Sequence, residues 1–315
     1  MSIDKSATTY VAGHLGLVGS AIWRRLEADG YTNLVGRTSA EVDLRDREAT
    51  FALLGEVRPR YLILAAARVG GILANDKYPA EFLSDNLRVQ LSVMDAAQEV
   101  GVERLVFLGS SCIYPKFAPQ PIKEEYLMTG ALEPTNDAYA IAKIAGILQV
   151  QSARKQYGRR WISAMPTNLY GRGDNFAPDT SHVLPALIRR YVEAKEAGLD
   201  RVTNWGSGTP QREFLHVDDL ARAIVLLMEE YDSPETINVG TGQDQSIREI
   251  AELVAKVVGF EGEIAWDTSK PDGMPRKMLD VGRLKALGWA PEISLEDGLR
   301  DTVDWFYEHR AEIRS

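Results

Sequence analysis

One cysteine in 315 residues excludes any internal disulfide, and Cys112 with four scattered histidines offers no zinc-ligand spacing, so no metal site is expected. Positive charge is in short supply too. The 36 Lys and Arg against 45 Asp and Glu leave a formal net charge of -9, which argues against a surface built for nucleic acid or an anionic membrane. No apolar run approaches a membrane span, since Tyr61 to Ala67 is far short of one, and no signal-peptide core stands near the start. Internal repeats and low-complexity segments are absent. These absences point to a cytoplasmic chain whose partner is a small phosphate-bearing molecule. What is present is an ordinary globular composition, 45% hydrophobic, long enough for a large core and two domains.

The first motif comes early. Thr9-Tyr10-Val11-Ala12 reads as a short strand, and Gly13-His14-Leu15-Gly16-Leu17-Val18-Gly19 precedes the helical pattern Ala21, Ile22, Leu26. A Gly-x-x-Gly-x-x-Gly turn between a strand and a helix can hold a pyrophosphate on backbone N–H groups and the positive helix end. Three such glycines also serve plain tight turns, so position carries much of the argument. A second strand, Asn33 to Gly36, leads to Arg37, about where an arginine would accommodate the extra phosphate of NADP; the alternative is an exposed turn residue. Asp43-Leu44-Arg45-Asp46 would lie beside the adenosine end, or Asp46 would simply cap a helix from Arg47.

A third apolar run, Tyr61 to Ala67, ends in the small residues of Arg68-Val69-Gly70-Gly71, which allow a ligand close to the backbone. A long helical pattern from Pro79 to Val100 follows, then Leu105 to Leu108. Near-continuous apolar strands alternating with helices predict a parallel sheet covered on both faces, with ligands outside the carboxyl ends of its strands.

The stretch from Gly109 to Lys143 carries the chemistry. Gly109-Ser110-Ser111-Cys112-Ile113-Tyr114-Pro115 leaves a strand end, and Tyr139-Ala140-Ile141-Ala142-Lys143 opens a helix. Residues four apart on a helix are neighbours, so Lys143 is expected to pull the phenol of Tyr139 down from about 10 toward a working range, making it a proton donor to a ketone. The alternative is an ordinary amphipathic pair. Beyond this, Trp161 to Met165 reads as a strand ending at Pro166-Thr167-Asn168-Leu169-Tyr170-Gly171, and residues 172–181 as a polar loop into a second domain. A helix is expected from about His182 to Ala197, a loop over Trp205 to Arg212, a strand at Phe214 to His216, a helix from Val217 to Glu230 and a strand at Ile237 to Gly240. Ser246 and Ser294 begin capping patterns for two last helices.

The glycine turn, the strand-end serine and Tyr-x-x-x-Lys together resemble the extended short-chain dehydrogenase/reductases of the nucleotide-sugar type. More narrowly, the Gly109 and Tyr139 strings, Pro166 to Gly171, Ser181-His182-Val183, Arg212 to Asp218 and Lys270-Pro271-Asp272-Gly273 resemble the GDP-L-fucose synthase family. Any one string is unspecific; six in order cover nearly the whole chain. The resemblance implies a Rossmann-type doubly wound parallel sheet, residues 1–170 plus about 214–240, with a smaller α/β substrate-binding domain, about 171–213 plus 241–315. It implies epimerisation of carbons 3 and 5 of GDP-4-keto-6-deoxy-D-mannose, reduction of the carbon 4 ketone with NADPH, and a homodimer. Cys112 would be the base and His182 the acid, with Ser110, Tyr139 and Lys143 forming the reductase set. The alternative for Cys112 is a buried apolar thiol, over which its place two residues after Ser110 at a strand end favours the catalytic role; without the resemblance, His182 reads first as a helix-start residue pairing locally.

Cofactor contacts are assigned to Gly13, Gly16, Leu17, Val18, Gly19, Arg37, Ala67, Tyr139, Lys143, Pro166, Asn168, Leu169 and His182. Asn168, Val183, Trp205, Arg212, Asp272 and Lys277 are assigned to the GDP-sugar, Arg212 and Lys277 as pyrophosphate candidates, although Lys277 also reads as a solvated charge. Asn86 is a further candidate for the catalytic set. The chain departs from the family pattern at Leu15 and Ser39, where basic residues usually serve the NADPH 2′-phosphate, so a weakened preference over NADH is expected. Other readings are a dehydratase, which typically places Glu where Cys112 stands, an epimerase or 4-reductase of another GDP-keto-deoxysugar or heptose, and a non-catalytic nucleotide sensor.

Overall fold

The computed structural model describes residues 3–178, 180–270, 272–311 and 313; Pro271 of the Lys270 motif lies outside them. The chain runs β1 (Thr9–Ala12), α1 (Leu17–Ala28), β2 (Leu34–Val35), α2 (Arg47–Val57), β3 (Tyr61–Leu64), α3 (Ile72–Lys77), α4 (Pro79–Val100), β4 (Arg104–Leu108), α5 (Asp137–Tyr157) and β5 (Arg160–Pro166). It continues through β6 (Asn168–Tyr170), α6 (Val183–Glu196), β7 (Arg201–Trp205), β8 (Gln211–Arg212), β9 (Phe214–His216), α7 (Val217–Glu230) and β10 (Ile237–Val239). The last part is β11 (Gln245–Ser246), α8 (Ile247–Val258), β12 (Glu263–Asp267), β13 (Arg276–Lys277), α9 (Gly282–Ala286) and α10 (Leu295–Glu308).

Six strands form one parallel sheet in the order β10-β5-β4-β3-β1-β2. The chain steps from β1 outward to β2 and then back across to β3, so a crevice opens between the carboxyl ends of β1 and β3, where dinucleotides bind in such sheets. The apolar runs of β1, β3 and β4 are buried end to end because helices cover both faces. Leu53, Met94 and Ile147, from α2, α4 and α5, pack on one face; Ile22, Leu26 and Ile224, from α1 and α7, pack on the other. A third core gathers Ile188 and Tyr191 of α6, Val254 of α8 and Phe306 of α10.

Sequence and structure part at several places. The third strand stops at Leu64 rather than Ala67, level with the end of its partner β1 at Ala12. The freed loop is held by Asn86, whose Oδ1 accepts from Arg68 N–H at 2.9 Å and whose Nδ2 donates to the Arg68 and Phe82 carbonyls at 3.0 and 2.7 Å. Asn86 thus works on the backbone rather than in the catalytic set. Asp46 caps α2, accepting from Ala49 N–H at 3.1 Å. The expected loop from Trp205 to Arg212 has strands at both ends, β7 and β8, and β12, for which the sequence carries no clear pattern, pairs in parallel with β7. Leu279, Val281, Leu284 and Trp289, placed with the smaller domain from sequence, pack into the two cores of the large sheet.

Candidate active site

At the crevice, the glycine turn is built by contact. Gly13 has φ +83°, and a Cβ there would lie 2.8 Å from Ala66 N; a Cβ on Gly19 would collide with the Gly13 carbonyl. Helix α1 therefore starts pressed against the ends of β1 and β3. Its N-cap is Gly16, without a side-chain cap and without an acidic residue in the first turn, so the N–H groups around Leu17 and Val18 present uncompensated positive charge. These residues fit a dinucleotide pyrophosphate. Beyond β2, Arg37 donates to the Gly36 carbonyl at 2.9 Å and pairs with no carboxylate among the described residues, since Glu41 turns back to accept from Thr38 N–H at 2.7 Å. Leu15 is 69% exposed and Ser39 is exposed. Ala67 lies partly buried in the loop after β3.

The catalytic stretch leaves β4 at Gly109, whose N–H donates to the Ala164 carbonyl of β5 at 2.8 Å. Ser110 then caps a short helical turn, Ser111–Ile113, its Oγ accepting from Cys112 N–H at 3.2 Å. Helix α5 brings Tyr139 beside Ser110, whose hydroxyl acts to lower the phenol. Lys143 is 4% exposed; its Nζ donates to the Leu108 carbonyl at 2.8 Å and stands 4.9 Å from the Phe107 ring centre.

This geometry corrects one expectation. The Lys143 ammonium is 5.9 Å from the Tyr139 ring centre and is taken up by the strand carbonyl, so it does not pull the phenol down. Burial and then the neighbouring Cys112 charge push Tyr139 above its ordinary value, against the Ser110 hydrogen bond. Burial likewise brings Lys143 down to about 8.

Cys112 is partly buried and carries the least ordinary environment. Burial alone would push its thiol up, but the charge and hydrogen bond of Lys277, the Ser110 hydrogen bond and the charge of Arg212 outweigh it and leave the thiol below its usual range. Lys277 Nζ lies 3.2 Å from Cys112 Sγ. Arg212 and Lys277 are register partners on the parallel strands β8 and β13, so the two cations stand side by side. His182 sits at the N-terminus of α6, open to the cleft and without a capping bond. The cleft walls, and then the Lys277 charge, hold its imidazole below its ordinary value. The preceding loop is tied in where Gly71 N–H donates to the Thr180 carbonyl at 3.1 Å.

The remaining assigned residues divide. Pro166 is buried at the end of β5, Leu169 is partly buried in β6, and the Asn168 amide is spent on the Glu213 carbonyl at 2.7 Å. Val183 and Trp205 are 39% and 58% exposed, and Lys270 Nζ stands 5.6 Å from the Trp205 ring centre. Asp272 accepts from Ser207 N–H and Oγ at 2.6 and 2.8 Å, which shapes the loop after Trp205. The structure thus gathers Ser110, Cys112, Tyr139, Lys143, His182, Arg212 and Lys277, with Trp205 and Asp272 on adjoining loops, Gly273 next to Asp272 facing the Arg212 guanidinium. Sequence reasoning missed Glu213, fully buried, accepting from Gly242 and Leu279 N–H at 2.7 and 2.8 Å. A carboxylate directly before the strand Phe214 to His216 was its only signal. Among the described residues no cluster of His, Cys, Asp and Glu could hold a metal, and no helix is long and apolar enough to cross a membrane.

Residues 9–240 match the NAD dependent epimerase/dehydratase family. The chain is 58% identical over 306 residues to GDP-L-fucose synthase 1 of Arabidopsis thaliana, spanning 97% of this chain and 95% of that protein. The chain belongs to this family, among the GDP-L-fucose synthases. Two solved structures agree in fold along nearly the full length. A GDP-L-fucose synthetase from Naegleria fowleri bound to NADP superposes with a TM-score of 0.92 at 28% identity, covering 100% of this chain and 98% of that one. A GDP-6-OMe-4-keto-L-xylo-heptose reductase from C. jejuni gives 0.91 at 34%, covering 98% and 100%.

The state of Lys143 has a consequence for stability. Its folded value near 8 lies below its unfolded one, so between pH 8 and about 10.4 the unfolded chain binds more protons and folding gains stability as pH rises. Relative to Lys143→Met, wild type should therefore gain on the order of 3 kcal/mol across that window in denaturant titrations. A difference independent of pH would contradict the buried, depressed ammonium.

Proposed function

We propose that this chain turns GDP-4-keto-6-deoxy-D-mannose into GDP-L-fucose, inverting carbons 3 and 5 and reducing the carbon 4 ketone with NADPH. The observation that carries the reading is the Cys112 sulfur with the Lys277 ammonium 3.2 Å away and Arg212 beside it, next to the Ser110 and Tyr139 hydroxyls. A simple 4-epimerase or 4-reductase needs only the hydroxyls and the lysine. A carbon acid flanking a ketone needs, in addition, a base on one face and an acid on the other.

The roles follow from position. The ketone oxygen lies against Ser110 Oγ and Tyr139 OH, whose hydrogen bonds stabilise negative charge as it develops there. Cys112 takes the proton from carbon 3 or carbon 5, and His182 returns one from across the cleft. NADPH, when bound, supplies the hydride for carbon 4. Gly13, Gly16 and Gly19 with the start of α1 would hold its pyrophosphate, Lys143 its ribose, and Arg37 the 2′-phosphate. The raised Tyr139 value keeps the phenol protonated at neutral pH, so it can give its proton to the oxygen as the ketone becomes an alcohol. Arg212 supplies charge for the substrate pyrophosphate, while the Lys277 ammonium beside it rests on the Cys112 sulfur, and Trp205 supplies an exposed ring for the base. The smaller unit would be the GDP-sugar domain. A homodimer through α4 and α5 accords with the exposed Leu91, Ile141 and Leu148 on those helices.

A second reading has specific support: the 34% identity to a heptose reductase makes another GDP-keto sugar a candidate for the same site. A panel of GDP-keto sugars, with products identified by NMR, separates the two.

Tyr139→Phe is expected to slow hydride transfer by about 10²- to 10⁴-fold while the substrate still exchanges protons at carbons 3 and 5. Deuterium uptake from solvent reads this directly, and loss of exchange together with reduction would count against separate roles.

Arg37→Ala removes the one basic candidate left by Leu15 and Ser39 and should raise the Michaelis constant for NADPH about tenfold, the scale of a lost charged hydrogen bond, with that for NADH nearly unchanged. Parallel titrations decide it; an unaltered NADPH constant, or a wild type that prefers NADH, removes Arg37 from the phosphate site.

A further inference from the structure

Lys277 is a buried cation without a carboxylate. It is 7% exposed, and among the described residues no Asp or Glu pairs with it, whereas its exposed neighbour Arg276 is held by Asp244 at 2.5 Å. A buried ammonium lacking a counter-charge is costly, and the atom that Lys277 Nζ touches instead is the Cys112 sulfur, at 3.2 Å. This placement is anchored twice. Leu279 N–H donates to the buried Glu213 carboxylate at 2.8 Å, and the Met278 carbonyl accepts from Ile122 N–H at 2.8 Å, ten residues beyond the thiol.

We propose that Lys277 is a positioning residue for proton abstraction: its ammonium keeps the Cys112 sulfur as a thiolate at the cleft wall, in the form that removes the carbon 3 and carbon 5 protons. The inference rests on the reading of Cys112 as the base. In the step itself the thiolate takes a proton and becomes S–H, while the C–H electron pair moves onto the carbon 4 carbonyl as an enolate. Protonated His182 then gives its proton to the opposite face and becomes neutral. Loss of the thiol proton to water and uptake of another by His182 reset both groups.

The groups that act on the thiol are Lys277 from β13, Arg212 from β8, Tyr139 from α5 and the Ser110 hydroxyl, and among the described residues no carboxylate pairs with Lys277 or Arg212. Lys277 also acts on His182, behind the larger effect of the cleft walls. One ammonium therefore biases the acid and the base in the same direction, toward their deprotonated forms. Removing its charge must move both titrations to higher pH, which a purely structural role would not do.

Cys112 is the chain's one cysteine, so alkylation of the full chain by iodoacetamide reports on it alone. In wild type the midpoint of alkylation rate against pH should fall below the ordinary thiol value of about 8.5. Lys277→Met and Lys277→Gln should each raise it by about one pH unit, slowing alkylation at pH 7 about tenfold, and Lys277→Arg should restore it. A wild-type midpoint at or above the ordinary value overturns the proposal without any variant, and so does an unmoved midpoint in the Met and Gln variants. In deuterium exchange at carbons 3 and 5, both limbs of the pH profile of Lys277→Gln should move upward; a uniform loss with unmoved limbs overturns the positioning role. If the alkylation midpoint moves as expected but wild type exchanges no protons on the keto sugar, the ammonium–thiolate contact stands and the assignment of Cys112 as base fails.

Discussion

The Glu213 carboxylate is the joint on which the site depends. It lies fully buried between Arg212 and Phe214, and burial pushes it up against the pull of the N–H groups it accepts. Those groups belong to Gly242 and Leu279, so one side chain ties β8 and β9 to the turn after β10 and to the segment after β13. A buried carboxylate is tolerated only when its oxygens are fully engaged, and stripping such partners costs about 1–3 kcal/mol for each donor left unpaired. Arg212 is its chain neighbour, and Lys277 stands two residues before Leu279. The relative placement of the two cations over Cys112 is therefore set by a group that touches no substrate.

Much of the fold is legible because burial on both faces makes strands of β1, β3 and β4 nearly continuous apolar runs. Helix α4 has its expected bounds: Pro79 suits a first helical turn, and Gly101, at φ +81°, suits the left-handed position past the end. The Ser246 capping box forms as its pattern implies. Short strands are another matter. β8, β11 and β13 have two residues each, and their partners lie 33 to 65 positions away, so no local period marks them.

The site was legible in its parts and not in its couplings. The spacing of Tyr139 and Lys143 correctly makes them neighbours on one helix, but spacing carries no dielectric, and burial decides the state of both. Asn86 and Asn168 have the chemistry of ligands and spend it on backbone carbonyls. Lys277 reads as a phosphate cation or a solvated charge; its contact with Cys112 spans 165 positions and becomes visible only when β13 is set beside β8.

The central claim is that one cleft inverts two carbons and reduces a third. Incubating the chain with GDP-4-keto-6-deoxy-D-mannose and NADPH in deuterated water, and reading the product by NMR, tests it directly. The account predicts GDP-L-fucose with solvent deuterium at carbons 3 and 5. An unepimerised 6-deoxyhexose free of deuterium at both carbons would contradict it.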